Sequence, residues 1–318
     1  LISQHRFLGW FIDAQYTKEI RQVITGSTGN LIIYGKFAKL HSLTYYIDGQ
    51  ARISQVGIYN ETIRLYDYTK TGYTCVWSGN LLGNSLYTIP NHDVDFNFIG
   101  WKAKEYDVIL HLNLNPHVDV TKNAKVKYGQ YYQFEVNSRD GLIFCGWYFD
   151  GTEQLTGDNG KSLKTWDKDI SRPANIRAIY AVSSWTRNDS RQYLITDSGR
   201  FDQPYDCVRM DWVHIMWLMN AGYTKLHVEL TFTAWEKDDG VQYAFIYDGT
   251  SSNATLLSEF WFSHGGDKKN TTPKEYTFTA DITLHKDLEI LCFRYGASGK
   301  FDDDWYNKNL KVTVTPVK

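Results

Sequence analysis

Two short carboxylate runs, Asp238–Asp239–Gly240 and Asp302–Asp303–Asp304, stand in polar stretches that read as turns, with Asp248–Gly249 and Asp267 between them. Hard cations such as calcium take about six to eight oxygen ligands, which turn carboxylates and nearby backbone carbonyls supply. The spacing matches no EF-hand loop. The expectation is therefore a structural calcium ion at Asp238, Asp239, Asp302, Asp303 and Asp304, or solvated turns closed by Asx-type hydrogen bonds. A second chemistry resides in Trp235, Trp261 and Trp305, three of the six tryptophans beyond residue 183. The C–H face of a sugar lies flat on such rings while amides and carboxylates take its hydroxyls, so these three are the candidate glycan site. The other reading is that they fill a core.

Enzyme motifs do not complete. Ser263–Asp267 (SHGGD) has the look of an esterase oxyanion loop, but the chain lacks a G-x-S-x-G nucleophile elbow. Gly157–Ser162 (GDNGKS) ends like a phosphate loop, yet Leu155 sits where its first glycine belongs. No H-E-x-x-H or G-x-G-x-x-G occurs, and the nine histidines are scattered without ligand spacing. The chain reads as non-enzymatic, with no cofactor beyond the calcium just named. The four cysteines, Cys75, Cys145, Cys207 and Cys292, form no C-x-x-C pair and are expected to be buried free thiols. The alternative is a Cys207–Cys292 disulfide within the last domain.

Positioning any such site takes a scaffold, and the composition points to strands. The 318 residues suffice for two or more domains, and 42% hydrophobic with 16% aromatic content excludes a disordered chain. A net charge of −2 gives no basic face for nucleic acid. The longest apolar stretch, Val213–Met219, contains His214 and falls far short of the roughly 20 residues that cross a bilayer.

From residue 184 onward apolar side chains alternate: Leu226, Val228, Leu230 and Phe232, then Val241, Tyr243, Phe245 and Tyr247, then Tyr276, Phe278, Ala280 and Ile282. With three further runs, LLSEFWF, LEILCFRYG and LKVTVTPV, this makes about eight strands and no βαβ unit, the pattern of an antiparallel, jelly-roll-like β-sandwich. Trp235 falls on the face opposite the Leu226–Phe232 stripe. One stretch dissents. In DWVHIMWLMNAGY, Trp212, Ile215, Met216 and Met219 recur at i, i+3, i+4 and i+7, with Asp211 placed to cap the start and Gly222 the end. This predicts a short helix covering one end of the sandwich; the alternative for its Met and Trp cluster is a hydrophobic partner groove.

Upstream, three tryptophans anchor a register: Trp10 in FLGWF, Trp77 in YTCVWSG and Trp147 in FCGWYF, 67 and 70 residues apart. Each is followed by a polar stretch and a short apolar strand, ending at Lys39, Lys104 and Val182. Strand-like runs precede the second and third anchors but not the first. A fixed period of this kind marks tandem structural units, each with a tryptophan as core keystone. The division is 1–40 as the C-terminal half of a truncated repeat, 41–105 and 106–183 as second and third repeats, and 184–318 as the sandwich.

Residues 1–183 resemble the Listeria–Bacteroides, or internalin B-type, repeats of bacterial surface proteins. The resemblance is carried by TKTGYT (Thr69–Thr74), the Gly-Trp phrases at Gly9–Trp10 and Gly146–Trp147, GSTGNLIIYGKF (Gly26–Phe37) and FIGWKAK (Phe98–Lys104). Val76 stands where the family has glycine before Trp77, and Leu142–Ile143 replaces its Gly-Tyr. The resemblance implies small β-grasp-like modules, each a mostly antiparallel sheet with a short helix or turn on one face. It also implies an extracellular protein of the bacterial cell surface or wall, with a repeat stalk presenting a sandwich that adheres to a glycan or host surface protein. The alternative is the carbohydrate-binding accessory region of an exported carbohydrate-active enzyme.

Overall fold

The computed structural model describes residues 4–114, 117–195, 206–236, 241–249, 254–263, 272–288, 290–298 and 305–318. β1 (His5–Phe11), followed by the short β2 (Glu19–Ile20), pairs antiparallel with the first half of β3 (Tyr34–Ile47), placing Trp10 opposite Gly35. The second half of β3 turns through Asp48–Gly49 into β4 (Gln50–Ile58). Both turn residues have positive φ, 52° and 74°, the backbone that Asp-Gly adopts readily in a two-residue hairpin.

β5 (Thr62–Arg64), β6 (Tyr73–Trp77), β7 (Leu81–Leu82) and β8 (Leu86–Thr88) precede β9 (Val94–Ala103), which lies parallel to β3 and antiparallel to β6. The third repeat comprises β10 (Glu105–His111), β11 (Thr121–Lys127), β12 (Leu142–Phe149), β13 (Glu153–Gln154) and β14 (Ala174–Val182). Here β14 is parallel to β10 and antiparallel to β12. The orders β4-β3-β9-β6 and β11-β10-β14-β12 are thus the same, a mixed β-grasp-like sheet used twice.

A bulge sits beside each tryptophan. In β1 and β12 it adjoins Gly9 and Gly146, whose φ values are 144° and 127°. A Cβ on Gly146 would stand 2.4 Å from the Thr156 carbonyl oxygen, so only glycine permits that approach. In the second repeat Val76 takes the glycine's place, and the bulge moves to the facing strand, between Phe98 and Gly100. Trp77 and Trp147 are fully buried. Trp77 packs among Leu43, Tyr45, Leu65, Ile89 and Phe96, and its indole N–H donates to the Tyr66 carbonyl at 2.8 Å. Trp147 donates to the Glu135 carbonyl at 3.2 Å, the same bond one repeat on.

Trp10 departs from the expectation of a core keystone. Its ring is 45% exposed, resting edge-on against Phe7 at 5.2 Å between ring centres. Among the described residues, its sheet neighbours are β2 and β3, and its ring contact is with Phe7.

The remaining strands divide between two sheets. β15 (Trp185–Asp189), β23 (Trp305–Val317), β18 (Lys225–Glu236) and β21 (Lys274–Thr283) form one in that order, with β16 (Tyr193–Ile195) also on β23; β17 (Asp206–Arg209), β22 (Ile290–Ser298), β19 (Val241–Asp248) and β20 (Thr255–Ser263) form the other. This is jelly-roll order. Leu226, Val228, Leu230 and Phe232 alternate inward as patterned, sharing a core with Ala244, Ile246, Leu291 and Phe293.

Cys207 and Cys292, cross-strand partners on β17 and β22, form a disulfide, which corrects the expectation of four free thiols. The sheet brings together strands that lie 85 residues apart in sequence. Cys75 and Cys145 are free and buried, and burial pushes the Cys145 thiol up to about 12, so it stays protonated at neutral pH.

α1 (Trp212–Asn220) forms as the caps predict: the Asp211 carboxylate accepts from the Val213 amide at 3.1 Å and Gly222 follows the end with φ 87°. Its buried side chains are Ile215 and Leu218, whereas Trp212, Met216 and Met219 of the predicted stripe face solvent. The helix packs against β14 and β12 of the third repeat as well as joining the sandwich core, and that double docking selects the Ile215–Leu218 side.

Contacts group the chain into two bodies, Leu1–Tyr106 with Val126–Gln130 and Trp166–Ser171, and Asp107–Lys125 with Tyr131–Thr165 and Arg172–Lys318. In the second body one buried cluster runs through Cys145, Ala181, Ile215, Leu218 and the sandwich stripes. In the first, the Asp169 carboxylate accepts from the Tyr106 hydroxyl (2.7 Å), the Gly72 amide (2.9 Å) and Lys104 Nζ (3.2 Å). The Tyr106 hydroxyl, the Gly72 amide and Lys104 hold the carboxyl of Asp169 below its ordinary range.

Three outcomes follow from this packing. Trp147→Ala costs on the order of 3–5 kcal/mol in denaturant unfolding, while Trp10→Ala, exposed already, costs less than about 1 kcal/mol. Cys207→Ser lowers stability by about 2–4 kcal/mol, read as a drop in melting temperature. Asp169→Asn lowers the melting temperature at neutral pH, and the gap to wild type narrows as pH falls to about 2, because a depressed carboxylate stabilises only where it is ionised. A constant gap across pH would contradict the last.

Candidate functional site

The five aspartates read as a calcium site lie outside the described residues, as does all of SHGGD beyond Ser263. Asp248, from the neighbouring turn, is paired with His285 at 3.2 Å. Among the described residues no group of three or more His, Cys, Asp or Glu is placed to hold a metal ion. The GDNGKS segment is a tight turn: the Gly157 amide donates to the Lys161 carbonyl, and Gly160 passes so close to Phe134 that a Cβ would meet its carbonyl oxygen at 2.1 Å.

Trp235 and Trp261, two of the three glycan-site tryptophans, do not converge. Trp235 lies on the outer face of its sheet, half-buried and stacked on Tyr306 with 5.3 Å between ring centres. Trp261, 51% exposed, lies on β20 in the opposite sheet, edge-on to Phe245. Inward residues such as Ala234 and Phe260 alternate with these two, so each ring points away from the shared core. The backbone of Trp305 pairs with Glu236 and Ile195 at the start of β23; its side chain lies outside the described residues.

The second body instead builds a concave site where the third-repeat sheet meets α1, a cleft of about 660 Å³. Arg177 and Ile179 line it from one face of β14, and Ala178 and Tyr180 from the face shared with Trp147. Beside the cleft, buried His111 is the partner of Arg177 on the parallel pair β10–β14. His111 donates from Nδ1 to Asp119 at 2.7 Å, and its Nε2 lies 3.0 Å from Asn175 Oδ1. Arg177 is exposed.

Arg139 enters from the segment before β12, with Nη1 donating to the Asn113 carbonyl at 2.9 Å and its guanidinium 5.9 Å from the Tyr180 ring centre. Asn113 is fixed in turn by a 2.7 Å bond from its Nδ2 to the Ala178 carbonyl. Burial raises the Tyr180 hydroxyl above its ordinary pKa, so it stays protonated beside Arg139. Helix α1 supplies the wall: His214 Nδ1 accepts from the Val182 amide at 3.2 Å, and Trp217 lies edge-on to the His214 ring. Leu142 and Ile179 complete the apolar side.

A hollow of about 730 Å³ in the first body is lined by Lys102, Lys104 and Lys127. Lys104 is held by Asp169 and Lys127 lies 3.8 Å from Glu105, so much of its charge is spent internally. No helix among the described residues is long and apolar enough to cross a membrane.

Sequence reading did not find Arg139, Arg177 or His214. They come from a loop, a strand and a helix, and no spacing links them. Only the contact between the third repeat and α1, which no local pattern encodes, makes them one site.

Fold and cleft together define tandem β-grasp-like repeats followed by a jelly-roll sandwich, with a polar cleft where the two meet. No protein-family model matches the chain, and no curated protein matches it. Among solved structures it is similar to Eiger TNF from S. frugiperda (8% identity, covering 42% of this chain and 92% of that one, TM-score 0.29). It is also similar to the VP2 subviral particle of infectious bursal disease virus (10% identity, 80% and 70%, TM-score 0.27). A third is the K3 cleaved adhesin domain of Lys-gingipain from Porphyromonas gingivalis w83 (15% identity, 58% and 99%, TM-score 0.22). At these TM-scores none carries an inference about this chain.

Proposed function

We propose that the chain belongs to a non-enzymatic, extracellular protein of the bacterial cell surface, in which internalin B-type repeats form a stalk and the sandwich-bearing body binds a glycan or host surface protein. The observation that carries this reading is the recurrence of one sheet order in successive repeats, each with a buried tryptophan and a bulge beside it, on the tryptophan's own strand in one and on the facing strand in the other. Repetition of one small unit, with Trp77 and Trp147 each buried at its centre, is the pattern of a repeat array. The Cys207–Cys292 disulfide supports an oxidising compartment.

A second reading, a carbohydrate-binding accessory region of an exported enzyme, is favoured by one feature: Trp261 beside Phe245, an exposed aromatic pair on an outer sandwich face. The two readings share a binding function and differ in what the whole protein does with it.

Labelled full chain applied to a glycan array and to immobilised host-matrix proteins tests the proposal. Saturable binding without release of new reducing ends is the expected result. Release of sugar products, or a blank array together with blank matrix surfaces, contradicts it.

A further inference from the structure

We infer that the cleft beside α1 binds an acidic pyranoside, a sugar ring bearing a carboxylate, with Arg177 and Arg139 taking the carboxylate and Trp217 the ring. This deepens the binding function proposed above and rests on it.

Donors around the cleft outnumber the acceptors that could satisfy them. Arg177 makes no ion pair with any described residue, and the carboxylate nearest its strand neighbour, Asp119, is taken by His111 at 2.7 Å. Arg139 is held by the bond to the Asn113 carbonyl and by the face of Tyr180, which uses one guanidinium N–H of five. Because His214 Nδ1 accepts from a backbone amide, the ring's proton sits on Nε2, making that atom a donor as well. The charged groups around the cleft are therefore two guanidiniums and one carboxylate already engaged, and the ligand that satisfies them is an anion. A planar carboxylate matches the guanidinium fork bidentately, which a lone hydroxyl does not.

The remaining wall decides what carries that carboxylate. Trp217, Leu142 and Ile179 give an apolar side against which the C–H face of a sugar packs. The volume of about 660 Å³ lies within the roughly 300–1,000 Å³ of sites that enclose small ligands, room for one or two sugar rings and too little for a folded partner.

The test is titration calorimetry on the full chain with methyl β-D-glucuronide, its neutral counterpart methyl β-D-glucoside, and N-acetyl-leucine as a carboxylate without a sugar. The glucuronide is expected to bind at least about tenfold more tightly than either, and to weaken at about 0.5 M NaCl. Arg177→Ala reduces glucuronide affinity about tenfold with an unchanged melting temperature, since the side chain is exposed and unpaired, while Arg177→Lys restores part of it. Equal binding of glucuronide and glucoside, N-acetyl-leucine binding as tightly as the glucuronide, or wild-type affinity in Arg177→Ala overturns the inference. Any of these alongside a positive glycan array removes the carboxylate assignment alone; a blank array and blank matrix surfaces remove the binding function with it.

Discussion

An indole N–H cannot be buried without a partner, and in a unit of about 70 residues that single requirement organises the rest. Trp77 and Trp147 are fully enclosed, and each gives its N–H to a backbone carbonyl upstream, Tyr66 in one repeat and Glu135 in the next. Each bond draws an otherwise irregular connection across the sheet, so the ring both fills the core and fastens the segment that covers it. The neighbouring bulge follows from the same demand. The strand carrying the ring must bend past its short partner, and the chain places the bend at Gly146 in one repeat or opposite Val76 in another. Trp10, whose strand pairs in the same register, is 45% exposed and has no such bond to a carbonyl among the described residues.

In the second body the module's rules meet those of the jelly roll. The third-repeat sheet has two faces, one closed on Trp147 and one carrying Ile143, Cys145, Ile179 and Ala181. That second face is apolar near α1, where Ile215 and Leu218 cover it, and polar towards His111 and Arg177. The cleft is the boundary between these halves. Val182 marks the transition, its amide donating to His214 just before the chain enters the sandwich.

Much of this architecture was legible in the sequence because it is written in local patterns. Alternation marked the inward stripe Leu226 to Phe232, the spacing of Trp77 and Trp147 marked the repeats, and Asp211 and Gly222 marked the helix ends. What escaped depends on distant partners. The i, i+3, i+4, i+7 stripe of Trp212, Ile215, Met216 and Met219 is real, yet only packing against β14 and β12 decides which side of the helix is covered. Cys207 and Cys292 become neighbours through the sheet order, and Trp235 and Trp261 part company because their strands lie in different sheets. Arg139, Arg177 and His214 left no trace at all, since three ordinary residues on three elements carry no motif until the fold assembles them.

Hydrogen exchange of the indole N–H groups, resolved by NMR with side-chain assignments, tests the central claim most directly. The account predicts that Trp77 and Trp147 Nε1–H exchange at the slow rate set by unfolding of their units, while Trp10 exchanges at the rate of a free indole. Rapid exchange at Trp77 and Trp147, or protection of all three alike, would contradict it.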